Sequence, residues 1–422
     1  MTRLPLPHRT AAPHEADLCQ GAATTQRRRW AVLALLFCAS SISYIDRQTL
    51  SVLVPVLRNE FGMSNTDYSN VLNSFFLAFT LMYVVGGRLM DRVGVYLGLM
   101  LAVAFWSTAA AMHALAGSTF ALACYRFMLA VGEAPQPPAS AKAVSEWFPP
   151  RERGFATSVF LSGATVGATL APPLVVWLYS HWGWRFAFLA TGLLGFVWIV
   201  FWRAVGRRPG QPVMPEAVRM HPLLPLLKRR ATWGVLSLRF FLDPVWYFYV
   251  FWLPEYLVRS KGLSIATVGM LAWLPFVAAD VGTLAGGSLA SWLQRRGWSV
   301  NRSHKTVMTI SAGLMMASAL VPALNAPWQY LAAMSVAIVG MQMFGSNNHT
   351  LPTHLFPSGA VGTVAGVAGA SAGIGSMLFM RFIGVSVDLT HSYTLVFAIA
   401  GCFYPLMALA SLGLVGKLER AR

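Results

Sequence analysis

The sequence is short of charge. Of its 422 residues only 11% are Asp, Glu, Lys or Arg, and only 15 are acidic, whereas a water-soluble domain keeps about a quarter of its residues charged. Cysteine is scarce as well. Cys19, Cys38, Cys124 and Cys402 show no metal or redox spacing and read as packing and tail residues. The nine histidines have no metal-binding spacing, and no phosphate-binding glycine loop is present. No metal, no cofactor and no enzymatic activity is therefore expected. The tails are too short to fold as an appended signalling domain, which weighs against a membrane sensor without net transport.

Apolar residues fill the space that charge leaves. They make up 56% of the chain, and the mean hydropathy is +0.56. Runs of about 20 apolar residues are long enough to cross a bilayer, and twelve can be drawn, from 31–57 through 118–141 and 155–178 to 393–415. Only structures that close their own backbone hydrogen bonds cross lipid. Twelve long runs predict an all-α membrane protein.

The net charge of +17 is placed for a membrane, not for nucleic acid. Twelve spans put both termini on one side. The terminal tails and the loops on that side hold most of the Lys and Arg, including Arg27–Arg29 and Lys228–Arg230; the opposite loops hold Arg58, Arg185, Arg259 and Lys261. That asymmetry predicts cytoplasmic termini and basic runs that anchor against anionic lipid. No aromatic-interleaved basic domain exists to bind nucleic acid. Residues 1–29 read as a disordered tail, and the hydrophobic run that follows is too long for a signal-peptide core.

The chain also repeats itself. GGRLMDRVG (86–94) after the second span is echoed by GGSLASWLQRRG (286–297) after the eighth, and EWFPPRERGFATSVFLSGATVGA (146–168) by HLFPSGAVGTVAGVAGASAGIGS (354–376). Two pseudo-symmetric six-helix bundles, 30–205 and 232–416, are expected, joined by a linker at 206–231 and followed by a short tail at 417–422. Such halves hold a ligand between them near the midplane and rock about it. Gly163 and Gly167, and Gly369 and Gly373, stand four apart, a spacing that suits either static close packing or sliding contacts.

Several stretches carry a family resemblance. GGRLMDRVG resembles the loop between the second and third helices of the major facilitator superfamily. That resemblance implies a gating role for Gly87, Arg88, Asp91 and Arg92, with Asp91 latching the cytoplasmic side. YIDRQTLSVLVP, RFMLAVGEAPQPPASAKAVSEWFPPRERG and APPLVVW look like the anion:cation symporter branch, and RFFLDPVWYFYVFWLPEYL is similar to its hexuronate carriers. The resemblance implies a bacterial inner-membrane symporter for a sugar acid and protons, working as a monomer. A hexuronate such as glucuronate or galacturonate leads, with aldonates and aromatic carboxylates behind; an exchanger or exporter on the same fold is the nearest rival. His354 departs from the pattern, because relatives commonly carry Asp before LFP, and this opens a pH-sensitive gate there.

Four ionisable residues interrupt the apolar runs of the first half: Asp46 and Arg47 in the first, Arg126 and Glu133 in the fourth. Their formal charges cancel, as intramembrane groups require. Arginine stays charged and presents a fork that fits a carboxylate, so Arg47 and Arg126 are candidate anion grips. Buried carboxyls can take up protons, so Asp46 and Glu133 are candidate proton carriers. Tyr44, Asp280, Trp246, Tyr247, Asn347, Asn348 and Ser371 are candidate contacts for a sugar ring and its hydroxyls. Asp243, four residues after Arg239, reads as a helix-end pair.

Overall fold

The computed structural model describes residues 15–149, 152–206, 223–356 and 358–416. Most of the linker expected at 206–231, the first 14 residues and the tail at 417–422 lie outside the described residues. The helices are α1 (Glu15–Phe61), α2 (Asn65–Val93), α3 (Val95–Met112), α4 (Thr119–Glu133), α5 (Gln136–Trp147), α6 (Arg153–Val205), α7 (Leu223–Leu227) and α8 (Arg230–Arg259). They continue as α9 (Ile265–Leu271), α10 (Leu274–Arg295), α11 (Val300–Met315), α12 (Pro327–Leu355), α13 (Ser358–Thr390), α14 (Thr394–Ala398) and α15 (Tyr404–Val415).

This is an all-α membrane protein with about twelve long apolar helices. Among the described residues seven segments are apolar and long enough to cross a membrane on composition alone. One of them, Arg153–Val205, holds two spans. Gly163 and the Trp198 indole both lie against residues 35–37 of α1, so the chain reverses between them. It turns at Gly183, whose φ of 81° is a backbone conformation open to glycine and costly for other residues. The spans that fall short of that test are α2, α4 with α5, α8 and α12. Polar and charged groups dilute them, and those groups include most of the candidate site.

Proline sets the interruptions. The fourth run, expected as one helix over 118–141, ends as α4 at Glu133 and restarts as α5 at Gln136. Pro135, Pro137 and Pro138 bring rings that clash with the preceding turn and remove backbone donors, except in a first turn where no donor is needed. The eighth run breaks into α9 and α10 just before Pro275, and the last widens into a π-turn at Ile399–Phe403 ahead of Pro405.

Helices α1–α6 pack chiefly among themselves, as do α8–α15; α2 with α13, α1 with α8, and α6 with α9 and α10 cross between the two sets. Glycine allows the closest approaches. A Cβ on Gly163 or Gly167 would overlap the carbonyl oxygens of Phe37 and Ser41 on α1, so this pair serves fixed packing inside one half. Gly373 and Gly384 of α13 abut Thr80 and Ser69 of α2, across the halves, where relative movement is possible. Gly167→Val should cost about 1–3 kcal/mol of overpacking, read as a lowered melting midpoint. Gly154→Ala, which meets open space, should leave the midpoint unchanged.

The polar contacts that join the halves concentrate at the far face, the end away from the chain termini. Arg58 at the end of α1 pairs with the fully buried Glu255 of α8. Ser51 lies 2.8 and 2.9 Å from the carbonyl oxygens of Val250 and Phe251, and the Tyr68 hydroxyl donates to the Phe251 carbonyl at 2.8 Å. Arg259 donates to Asn59 at 2.7 Å and Arg381 to Asn70 at 3.1 Å. Asp388 of α13 caps the N-terminus of α2 from the opposite half, accepting the backbone N–H groups of Asn65 and Thr66 at 2.9 and 2.8 Å. That is a favourable place for a carboxylate, because the first backbone donors of a helix have no partner within it.

Candidate functional site

Midway along α1, Asp46 and Arg47 meet Arg126 and Glu133 of α4. All four side chains are buried, Arg126 and Glu133 completely. Arg47 Nε donates to Glu133 Oε2 at 2.6 Å. Arg126 donates through Nη1 to the backbone carbonyl of Asp46 at 3.3 Å and through Nη2 to that of Arg47 at 2.6 Å. These carbonyls sit inside a helix and receive the guanidinium on their second lone pair. Seven residues, two turns, separate Arg126 from Glu133 on one face of α4, which is why both reach α1.

The satisfaction of this cluster is incomplete. Neither carboxylate oxygen of Asp46 makes a hydrogen bond of normal geometry, and Glu133 Oε1 and Arg126 Nε are also buried without one. Gln48, one turn from Tyr44, has both amide atoms in the same condition. Buried polar groups are normally bonded. Unmet donors and acceptors beside two arginines make the cluster a fit for a polar anion.

Aromatic rings cover the arginines. The Arg47 guanidinium carbon lies 4.8, 5.1 and 5.0 Å from the ring centroids of Tyr44, Phe75 and Phe79, and that of Arg126 lies 5.5 and 5.8 Å from those of Phe75 and Phe251. Cation–π contact at a desolvated site contributes about 2 kcal/mol and holds a guanidinium without neutralising it. The rings also bridge the halves: Phe76 meets Tyr247 at 4.8 Å, and Phe75 meets Phe251 at 6.3 Å. The site is roofed on its far-face side by rings from α2 and α8.

The remaining sequence candidates are spread more widely. Tyr247 lies within electrostatic reach of Arg47 and stacks on Phe251 at 5.8 Å. Trp246 packs edge-on against Phe276 of α10. Asp280 accepts a short hydrogen bond from Thr165 of α6, so it ties the halves together at the α6–α10 crossing. Asn347 is engaged within its own half: its oxygen lies 2.7 Å from His304 Nδ1, and its amide nitrogen donates to Met343. Ser371 donates to the Leu236 carbonyl at 3.1 Å. Asn348 is buried with neither amide atom bonded. The His354 ring centroid stands 5.4 Å from that of His304. Of the gating candidates Arg92 is exposed, and the side chains of Gly87, Arg88 and Asp91 lie outside the described residues.

Sequence reasoning did not single out Phe75, Phe79 or Phe251, nor Arg58, Glu255 and Asp388 at the far face. The phenylalanines carry no mark that separates a ring over a guanidinium from a ring in lipid. Glu255 and Asp388 did carry a signal, since a carboxylate inside an apolar run is itself a flag.

The family profile described as Major Facilitator Superfamily matches residues 36–380. The chain is 31% identical over 402 residues to the hexuronate transporter of Escherichia coli (strain K12), covering 90% of this chain and 92% of that one. It is 28% identical over 428 residues to the probable galactarate/D-glucarate transporter GarP of the same strain, covering 93% and 96%. The crystal structure of a D-xylose-proton symporter superposes with a TM-score of 0.74 at 15% identity, covering 93% of this chain and 98% of that one.

Proposed function

The chain belongs to the Major Facilitator Superfamily, and from that premise we propose that it is a secondary transporter importing a sugar-acid anion with protons. The carrying observation is the buried quartet, in which two arginines face two carboxyls and neither carboxylate oxygen of Asp46 makes a hydrogen bond of normal geometry. A hexuronate such as glucuronate or galacturonate is the leading substrate, by likeness to the hexuronate transporter. The protein works in a bacterial inner membrane with both termini cytoplasmic, the orientation that the placement of Lys and Arg favours.

The mechanism follows from charge. Empty, the quartet sums to zero, and a monovalent anion leaves it at −1. One proton on Asp46 or Glu133 restores neutrality, and a second makes each cycle carry positive charge inward. A proton on Glu133 also weakens its bond to Arg47 and frees that guanidinium for a substrate carboxylate. Binding of the anion and binding of the proton thereby favour each other. The joined far face leaves the site to be reached from the terminal side, which is an inward-facing arrangement. Rocking of the halves about the quartet would open the opposite route.

Proteoliposomes containing the protein should take up labelled glucuronate or galacturonate faster, and above equilibrium, under an imposed inward proton gradient. Uptake indifferent to that gradient would remove the coupling. Uptake only when substrate is preloaded inside the vesicles would instead identify an exchanger.

A further inference from the structure

A second charged cluster lies outside the quartet. Arg239 and Asp243 are one turn apart on α8 and pair at 2.8 Å. Arg239 Nη1 also lies 2.9 and 2.8 Å from the two ring nitrogens of His349 on α12. These residues belong to the bodies of two long helices, yet the paired side chains keep 16% and 15% of their surface accessible. Beside His349, the buried Asn348 carboxamide has no partner for either polar atom.

The cluster is continuous with the quartet. On α8, Arg239, Asp243, Tyr247 and Phe251 follow at intervals of four, the spacing of near neighbours on a helix surface. Tyr247 and Phe251 are the residues that reach Arg47 and Arg126. The stripe therefore leads from the central arginines toward the terminal face, away from the far-face contacts. Two turns separate Arg239 from Tyr247, about 12 Å.

A purely structural reading explains this poorly. The Arg239–His349 contact ties α8 to α12, but the Arg239–Asp243 pair lies within one helix and adds nothing to that tie. Arg239 instead has a donor fork presented at an accessible wall, with an internal carboxylate occupying it. We propose that Arg239 is a second carboxylate-binding station between the central arginines and the terminal face, with Asp243 occupying it when it is empty and His349 holding the guanidinium in place.

This rests on the organic-anion reading above. The shared chemistry is a carboxylate, and it has two possible sources. One is the far end of a diacid held at both ends. An extended six-carbon diacid spans about 6 Å between its carboxyl carbons, at about 1.5 Å per bond in a zigzag. A carboxylate–guanidinium contact at each end brings the arginine-to-arginine span to roughly 14 Å. The other source is the single carboxylate of a monoacid pausing as it leaves.

The test is calorimetric titration of the purified full-length protein with D-glucuronate, a monoacid, and D-glucarate, a diacid. Asp243→Asn removes the internal competitor and should tighten binding about tenfold; adding Arg239→Gln should abolish that gain. A gain confined to D-glucarate identifies holding at both ends, and a gain for both acids identifies the transit station. If Asp243→Asn binds each acid as the wild type does, the station is overturned while the transporter reading stands. If the wild type and Asp243→Asn bind neither acid, the sugar-acid reading and the station fail together. Should the double variant not fold, the response of Asp243→Asn alone decides.

Discussion

Arg47→Ala protein is expected to bind no sugar acid by calorimetry, a loss of at least about a hundredfold. Hydrogen bonds to charged groups contribute about 1.5–3 kcal/mol each, and a two-pronged carboxylate contact loses two of them. Each 1.4 kcal/mol is tenfold in affinity, so the loss lies between about a hundredfold and about twenty-thousandfold. The same substitution strands Glu133 without its 2.6 Å partner in a fully buried position. Leaving one member of a buried pair costs about 3–5 kcal/mol, and Glu133 escapes much of that by taking a proton. Glu133→Gln separates the two effects, because it releases Arg47 while imitating the protonated acid. That variant should keep or gain affinity and lose the dependence of uptake on a proton gradient. Arg47→Lys should remain impaired, since an ammonium cannot present two parallel donors or lie flat against Phe75 and Phe79. Normal binding by Arg47→Ala would take the anion grip away from this residue.

Much of this is legible in the sequence, and unevenly so. Asp46, Arg47, Arg126 and Glu133 stood out because a charge in an apolar run has a cost that demands a partner, and seven-residue spacing put two of them on one face of a helix. Their pairing was less legible. Composition balances the charges without saying that Arg126 would bind backbone carbonyls of α1 while Arg47 takes the carboxylate. Asn347 and Ser371 show the limit of reading residue types. An amide or hydroxyl in a span announces a donor and an acceptor, but both side chains meet His304 or backbone within their own half. The break at Pro135 was also in the sequence, and a hydropathy window passes over it because proline is only weakly polar. The spacing of Gly163 and Gly167 suits either fixed or sliding contacts; only their overlap with carbonyls of α1, inside one half, separates those uses.

Loosening the far face should change which side of the site is open. The fully buried Glu255 lies between Arg58 of the opposite half and Arg259 of its own helix. Glu255→Gln removes the charge from this junction and keeps the shape of the side chain. With Asp388→Asn added, the cap on the α2 N-terminus loses its charge as well. Together the changes should withdraw roughly 3–5 kcal/mol from the joined arrangement. A shift of that size moves a two-state equilibrium by about two to nearly four orders of magnitude. Ser69, on α2 beside Gly384 of α13, is fully buried in the joined face and offers a reporter. In a background whose native cysteines are replaced, Ser69→Cys should resist a membrane-impermeant maleimide added to the far side. The Glu255→Gln, Asp388→Asn protein should react within minutes, and saturating sugar acid should alter that rate in both proteins, because binding and opening draw on the same equilibrium. Equal labelling with and without the two substitutions would show that these contacts are packing at a surface the protein does not open. The arginines beneath the aromatic roof would then need another way out.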